Sequence, residues 1–213
     1  MDNTEQKWHL ENVRTLAKQY PYTFYVPSIE YISTLEIGDL VKLMFEDEQG
    51  QAERMWVKIT AIHGEDFAGQ LDNQPYEIQG LNAGDCIHFS VQHIMTSYNK
   101  VDPVPSLAQE YWDRCWTTKA ILDGEAPIGL ICRDEPCQDQ EDRPCQDSGW
   151  QILTGDESDE YMCNPDVIRW VALGVLLNID DSFIHLLDEK VGSAYIKNEQ
   201  GEWVIDANFE FAD

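Results

Sequence analysis

Apolar and polar positions change their period several times along the chain. Over residues 5 to 19, Trp8, Val13, Leu16 and Ala17 fall on a roughly helical stripe ended by the Tyr20-Pro21 step, which predicts a short leading helix. From Gly38 the period shortens to two. DLVKLMFE, ERMWVKITAI, DFAGQL and DCIHFSVQHI each read as a strand, with the acidic EDEQGQ and the glycine-bearing LNAGD among the turns between them. Four short, mostly antiparallel strands at this spacing predict a small twisted sheet or half-open barrel.

The stretch from Lys100 to Ser106 holds two prolines and little to bury, which places a linker there, between a domain over 1–99 and a second over 107–213. In the second half LAQEYWDRC reads as helical, WTTKAIL and PIGLICRDE as strands, and WQIL as a strand after the polar segment from Asp134 to Ser148. DVIRWVALGVLLNI reads as a buried helix with Pro165 in its first turn, although its β-branched residues leave a strand open. SAYIKN and EWVIDA, joined by a Glu-Gln-Gly turn, close the chain as strands. The fold class is α+β, in two small domains.

Composition is that of a folded protein, with 43% hydrophobic and 11% aromatic residues among 213. Charge narrows the partners. Fourteen basic against forty acidic residues give a formal charge of −26, a field that repels nucleic acid and anionic lipid and attracts a basic protein. Residues 107 to 213 carry seven basic and twenty-four acidic residues, so the second half holds most of that charge. No apolar run approaches the roughly 20 residues that span a bilayer, and MDNTEQKWHLENVRTL has charges where a signal peptide has its apolar core, so the expected location is the cytoplasm. There the six cysteines are expected as reduced thiols.

Two blocks resemble known families. CRDEP at 132–136, DSGWQILTGDESDEY at 147–161 and VGSAYIKNEQGEWV near the C-terminus resemble the bacterial immunity protein 33 domain, over about residues 114 to 205, with PCQDQEDRPCQ inserted between the turn and the Ser-Gly-Trp block. GDLVKLMFEDEQGQAERMWVKITAIHGEDFAGQLDNQPYEI followed by LNAGDCIHFSVQHI resembles the YegJ-like domain of unknown function, over about residues 20 to 97. The first resemblance implies a cytoplasmic protein that shields its own cell by binding a toxin. Neither implies a catalytic mechanism.

The candidate binding surface is the acidic loop Asp156, Glu157, Asp159 and Glu160, held outward by a strand anchored on Trp150 to meet Lys and Arg on a basic toxin. A carboxylate run of this kind is most often a solvated loop, and that reading stands beside the functional one. Arg133 is expected to brace the Asp134-Glu135 turn or the Asp147 side chain. Trp56 and Trp150 are expected in cores. Cys132, Cys137 and Cys145 lack the paired spacing of a zinc site, so no metal or cofactor is expected on them; a Cys137–Cys145 disulfide is the alternative if the protein meets an oxidant. GDESDEY lacks the alternating oxygens of a calcium loop, no spacing pairs a nucleophile with a base, and the histidines read as structural, with His9 in a helical context.

Overall fold

The computed structural model describes residues 7–137 and 145–211. It is α+β, and the chain divides into two compact units meeting at Ser106 and Leu107.

In the first unit the leading helix is shorter than its apolar stripe predicts. Trp8–Leu10 is a strand, β1, and only Val13–Gln19 is helical, α1. Asn12 separates them, its side-chain oxygen accepting from the N–H groups of Arg14 and Thr15 at 3.1 and 3.3 Å, an N-cap that fixes where the helix begins. The first two residues of the expected helix, 5 and 6, lie outside the described residues. A one-turn helix, α2 (Ile29–Ile32), is capped by Ser28.

The strands follow as β2 (Leu40–Asp47), β3 (Ala52–His63), β4 (Asp66–Leu71), β5 (Cys86–Ser90) and β6 (Ile94–Ser97). The stretch expected as one strand over 85–94 is two. The Ser90 N–H donates to His93 Nδ1 at 2.9 Å and closes a 3-10 turn over Val91–His93. That turn sends the chain from one edge of the sheet to the other, because β5 lies at the end of the order β1-β2-β3-β4-β5 while β6 pairs with β2. The sheet therefore curls until it is nearly closed, the half-open barrel expected from the strand spacing. Its inside is filled by Val41, Leu43, Phe45, Met55, Val57 and Ile59, with Tyr31 plugging the cluster from α2. Trp56 sits between Met55 and Val57 and so points the other way, half-buried under Lys42, whose ammonium is 4.5 Å from the ring, and edge-on to Tyr98. It is not a core residue.

Part of the proline-bearing stretch is fastened to this unit. Lys100 pairs with Asp39 at 2.8 Å. The Asp102 carboxylate accepts from Tyr25 Oη, Ser28 N–H and Ser28 Oγ, each at 2.7 Å, and from Val104 N–H at 2.9 Å.

The second unit begins with α3 (Leu107–Glu110), β7 (Arg114–Thr118), α4 (Lys119–Leu122), β8 (Leu130–Arg133) and β9 (Asp147–Leu153). It continues through α5 (Asp159–Met162), β10 (Ile168–Ala172), α6 (Leu173–Leu177), β11 (Ala194–Lys197) and β12 (Trp203–Ile205). The stretch expected as a buried helix over 166–179 is half strand. Ile168 to Ala172 pairs with β7, where β-branched Ile168 and Val171 suit an extended backbone, and only the leucine-rich end coils. The WTTKAIL stretch divides likewise between β7 and α4. The sheet order is β10-β7-β9-β8-β11-β12, antiparallel except for β7 against β9. Ile131, Trp150, Ile152, Leu176 and Phe183 are among its most buried side chains. The polar segment from Asp134 to Ser148 lies partly outside the described residues.

Candidate functional site

The Asp147-Ser148-Gly149-Trp150 block opens β9 with a bulge. Opposite the single residue Cys115 of β7 stand three residues of β9, Ser148 to Trp150. Side chains tie the extra residues down. Asp147 accepts from Gly149 N–H at 3.0 Å and from Cys137 N–H at 3.1 Å, while Ser148 Oγ donates to the Arg114 carbonyl at 2.7 Å and accepts from Trp150 N–H at 3.3 Å. Gly149 has φ +77°, and a Cβ there would lie 2.2 Å from the Asp134 carbonyl oxygen, so the position requires glycine on two grounds.

Trp150, 1% exposed, is the largest fully buried side chain described. The Arg133 guanidinium lies 5.5 Å from its ring centroid. Among the described residues Arg133 bonds neither the Asp134-Glu135 turn nor the Asp147 side chain, the partners expected for it; its donors go to carbonyls, Nε to Ser148 O at 3.2 Å and Nη1 to Leu187 O at 3.4 Å and Glu189 O at 2.6 Å. The planar fork stitches β8 to the bulge and to the segment before β11.

At the far end of β9 the four loop carboxylates separate into two kinds. Glu157 folds back, accepting from Thr154 N–H at 2.7 Å and Gly155 N–H at 2.8 Å, and Asp156 accepts from the Thr154 hydroxyl at 2.5 Å. Asp159 and Glu160 stand exposed in the first turn of α5, which Ser158 caps by accepting from Tyr161 N–H at 3.2 Å. The strand thus presents Asp156, Asp159 and Glu160 to solvent, whereas Glu157 shapes the loop.

A feature that sequence reasoning missed lies at the near end of the strand. A cleft of about 470 Å³ has Trp150 and Arg133 in its wall and is flanked by Glu110, Asp113, Asp147 and Asp188. Tyr111, which also lines it, has its phenol held above the usual value by burial and then by the Glu110 and Asp188 carboxylates. Glu110 and Asp113 lie three residues apart around the end of α3, but no local spacing joins them to Asp147 of β9 or to Asp188 in the segment before β11.

The cysteines remain free thiols. Cys115, Cys132 and Cys145 are buried, and Cys86, Cys137 and Cys163 are exposed. Burial pushes the Cys132 thiol up to about 12 and Cys115 further in the same direction, which keeps both protonated and unreactive. Among the described residues no group of potential metal ligands contains a cysteine. Arg54, at an exposed position on β3, makes no ion pair among the described residues.

The second unit is thus a mixed sheet with short helices, whose bulged strand carries an acidic loop at one end and an acid-flanked cleft at the other. Its residues 115–206 match the family described as the immunity protein Imm33 domain. Residues 10–99 of the first unit match a family described as an uncharacterized protein conserved in bacteria, DUF2314. Among curated proteins and solved structures, nothing matches the chain.

Proposed function

We propose that the protein is a non-enzymatic bacterial immunity protein that binds and neutralises a basic toxin in the cytoplasm. The observation that carries this reading is the Imm33 match over residues 115–206. The charge of the same half supports a basic partner: twenty-four acidic residues against seven basic ones steer a cationic surface toward it without any chemical step. The interface is assigned to the loop face bearing Asp156, Asp159 and Glu160, with Glu157 holding its shape and Arg133, Asp147 and Trp150 supporting the strand behind it. A toxin whose catalytic cleft grips phosphate offers the complementary lysines and arginines.

Co-expression with a toxin encoded beside its gene tests the proposal. Protection of the cell together with a stoichiometric complex is the expected result; full toxicity in the presence of folded protein would overturn it.

A second reading, a ligand- or peptide-binding module, is favoured by one feature of the first unit. A groove of about 460 Å³ is lined by Ile32, Leu35, Ile62, Phe67 and Val91, with Ile29 75% exposed at its edge. Replacing Ile29 and Ile62 by Asp separates the readings: undiminished protection leaves the groove for a ligand other than the toxin.

A further inference from the structure

We propose that His9, Glu11 and Glu46 form a binding site for one divalent transition-metal ion of the zinc type. The strand pairing builds the site. His9 lies directly opposite Glu46 in the β1–β2 register, and Glu11 follows two residues on, its N–H donating to Met44 O at 2.9 Å to extend the ladder. Alternation sends Trp8 and Leu10 inward against the barrel core, with Trp8 5.4 Å from Phe45. The same alternation sends His9 and Glu11 to the other face, where Glu46 meets them.

One ligand atom from each of the three lies within 4.8 Å of the others, and His9 Nε2 is already 2.7 Å from Glu11 Oε1. Two carboxylates held this close repel each other, and among the described residues no lysine or arginine pairs with either. Glu11 is only 22% exposed, so water screens that repulsion incompletely. A cation at the centre of the triangle removes the repulsion, taking the place of the hydrogen between His9 and Glu11. The donor set chooses the ion: one imidazole nitrogen with two carboxylate oxygens suits zinc and its neighbours, whereas calcium and magnesium prefer all-oxygen shells. Three protein ligands leave a fourth position for water. Because β1 has only three residues, the ion would also pin this short strand to the sheet.

The test titrates the reduced full-length chain with Co²⁺ and Zn²⁺. One ion per chain should bind at this site, with a Co²⁺ spectrum free of thiolate charge transfer and a rise in melting temperature, since the ion binds only the folded state. His9→Gln and Glu46→Gln should each weaken binding at least tenfold and abolish the rise, while the metal-free Glu46→Gln variant, relieved of the carboxylate repulsion, melts no lower than the parent. Cys163→Ser should change nothing. Binding that survives both ligand substitutions, equal competition by Ca²⁺, a thiolate spectrum, or no binding at millimolar metal would each overturn the site. The inference is independent of the toxin reading and leaves it untouched if it fails.

Discussion

Glu157 turns its carboxylate back onto the backbone of Thr154, accepting that N–H at 2.7 Å, so one of the four acids in the loop is spent on the loop itself. Glu157→Ala removes this bond and the one from Gly155 together. The expected cost is about 1–2 kcal/mol, seen in chemical denaturation, with faster amide exchange at Thr154 and Gly155.

The exposed acids should behave differently. Replacing Asp156, Asp159 and Glu160 by Asn or Gln should leave stability nearly unchanged, because solvated carboxylates contribute little to it. Association with the toxin should slow on the order of tenfold at low salt and its salt dependence should flatten, measured by stopped-flow mixing. An unchanged rate and salt slope would remove this loop from the interface and direct attention to the acid-flanked cleft.

At the bulge, Trp150→Ala should lower stability by roughly 3–5 kcal/mol, as expected for emptying a buried aromatic site. Gly149→Ala should be severe in spite of adding one methyl group, because its Cβ would meet the Asp134 carbonyl at 2.2 Å and the backbone at φ +77° disfavours any side chain. Thermal melts of the two variants check both statements.

Asp102 gives the first unit a pH dependence. Partial burial pushes its carboxyl up, but hydrogen bonds from Ser28 N–H, Tyr25, Val104 N–H and the Ser28 hydroxyl outweigh this and hold it at about 2. A depressed carboxyl stabilises the fold above its unfolded value of about 4, and that contribution is lost as pH falls from about 4 to about 2. Asp102→Asn should therefore cost about 2 kcal/mol at neutral pH, and that cost should shrink below pH 4 and vanish as pH falls through about 2, as measured by denaturation across that range.

The tethering of Lys100 and Asp102 also narrows where a protease should cut between the units. Brief digestion should nick the chain within 103–106, after the anchored residues, and release two resistant fragments identified by mass. Cleavage scattered through either unit would count against separate folding.

The sequence was most legible where one period held over a whole element. Val41, Leu43 and Phe45 share one face of β2, with Lys42 and Glu46 on the other, and became the inside of the barrel, as period two requires. Reading failed where an element changed type midway without a glycine or proline to mark it. Ile168 to Ala172 passes from strand to helix at Leu173 because β7 is available as a partner, which only the tertiary fold supplies. The split at Asn12 carried a local signal, a capping residue within an apolar stripe, and could have been read. Around the candidate site, the burial of Trp150 followed from its apolar neighbours, but the backbone targets of Arg133 did not, since Leu187 and Glu189 lie more than fifty residues away in sequence.

The parallel pairing of β7 with β9 bears on how the second unit assembles. Strands β11 and β12 meet across the turn at Asn198 to Glu202, an antiparallel hairpin that closes a small loop and can form early. A parallel partner cannot be reached by a hairpin, so the chain must run out through β8 and return as β9 before β7 gains its neighbour on that side. Loop-closure entropy is therefore met before the central contacts offset it, and folding of this unit should be limited by that long return. Until it is complete, the bonds of the Ser148 hydroxyl to Arg114 and of Arg133 to Ser148 are not both in place, so the bulge under Trp150 should form late in folding, with low φ-values for substitutions at Ser148 and Trp150.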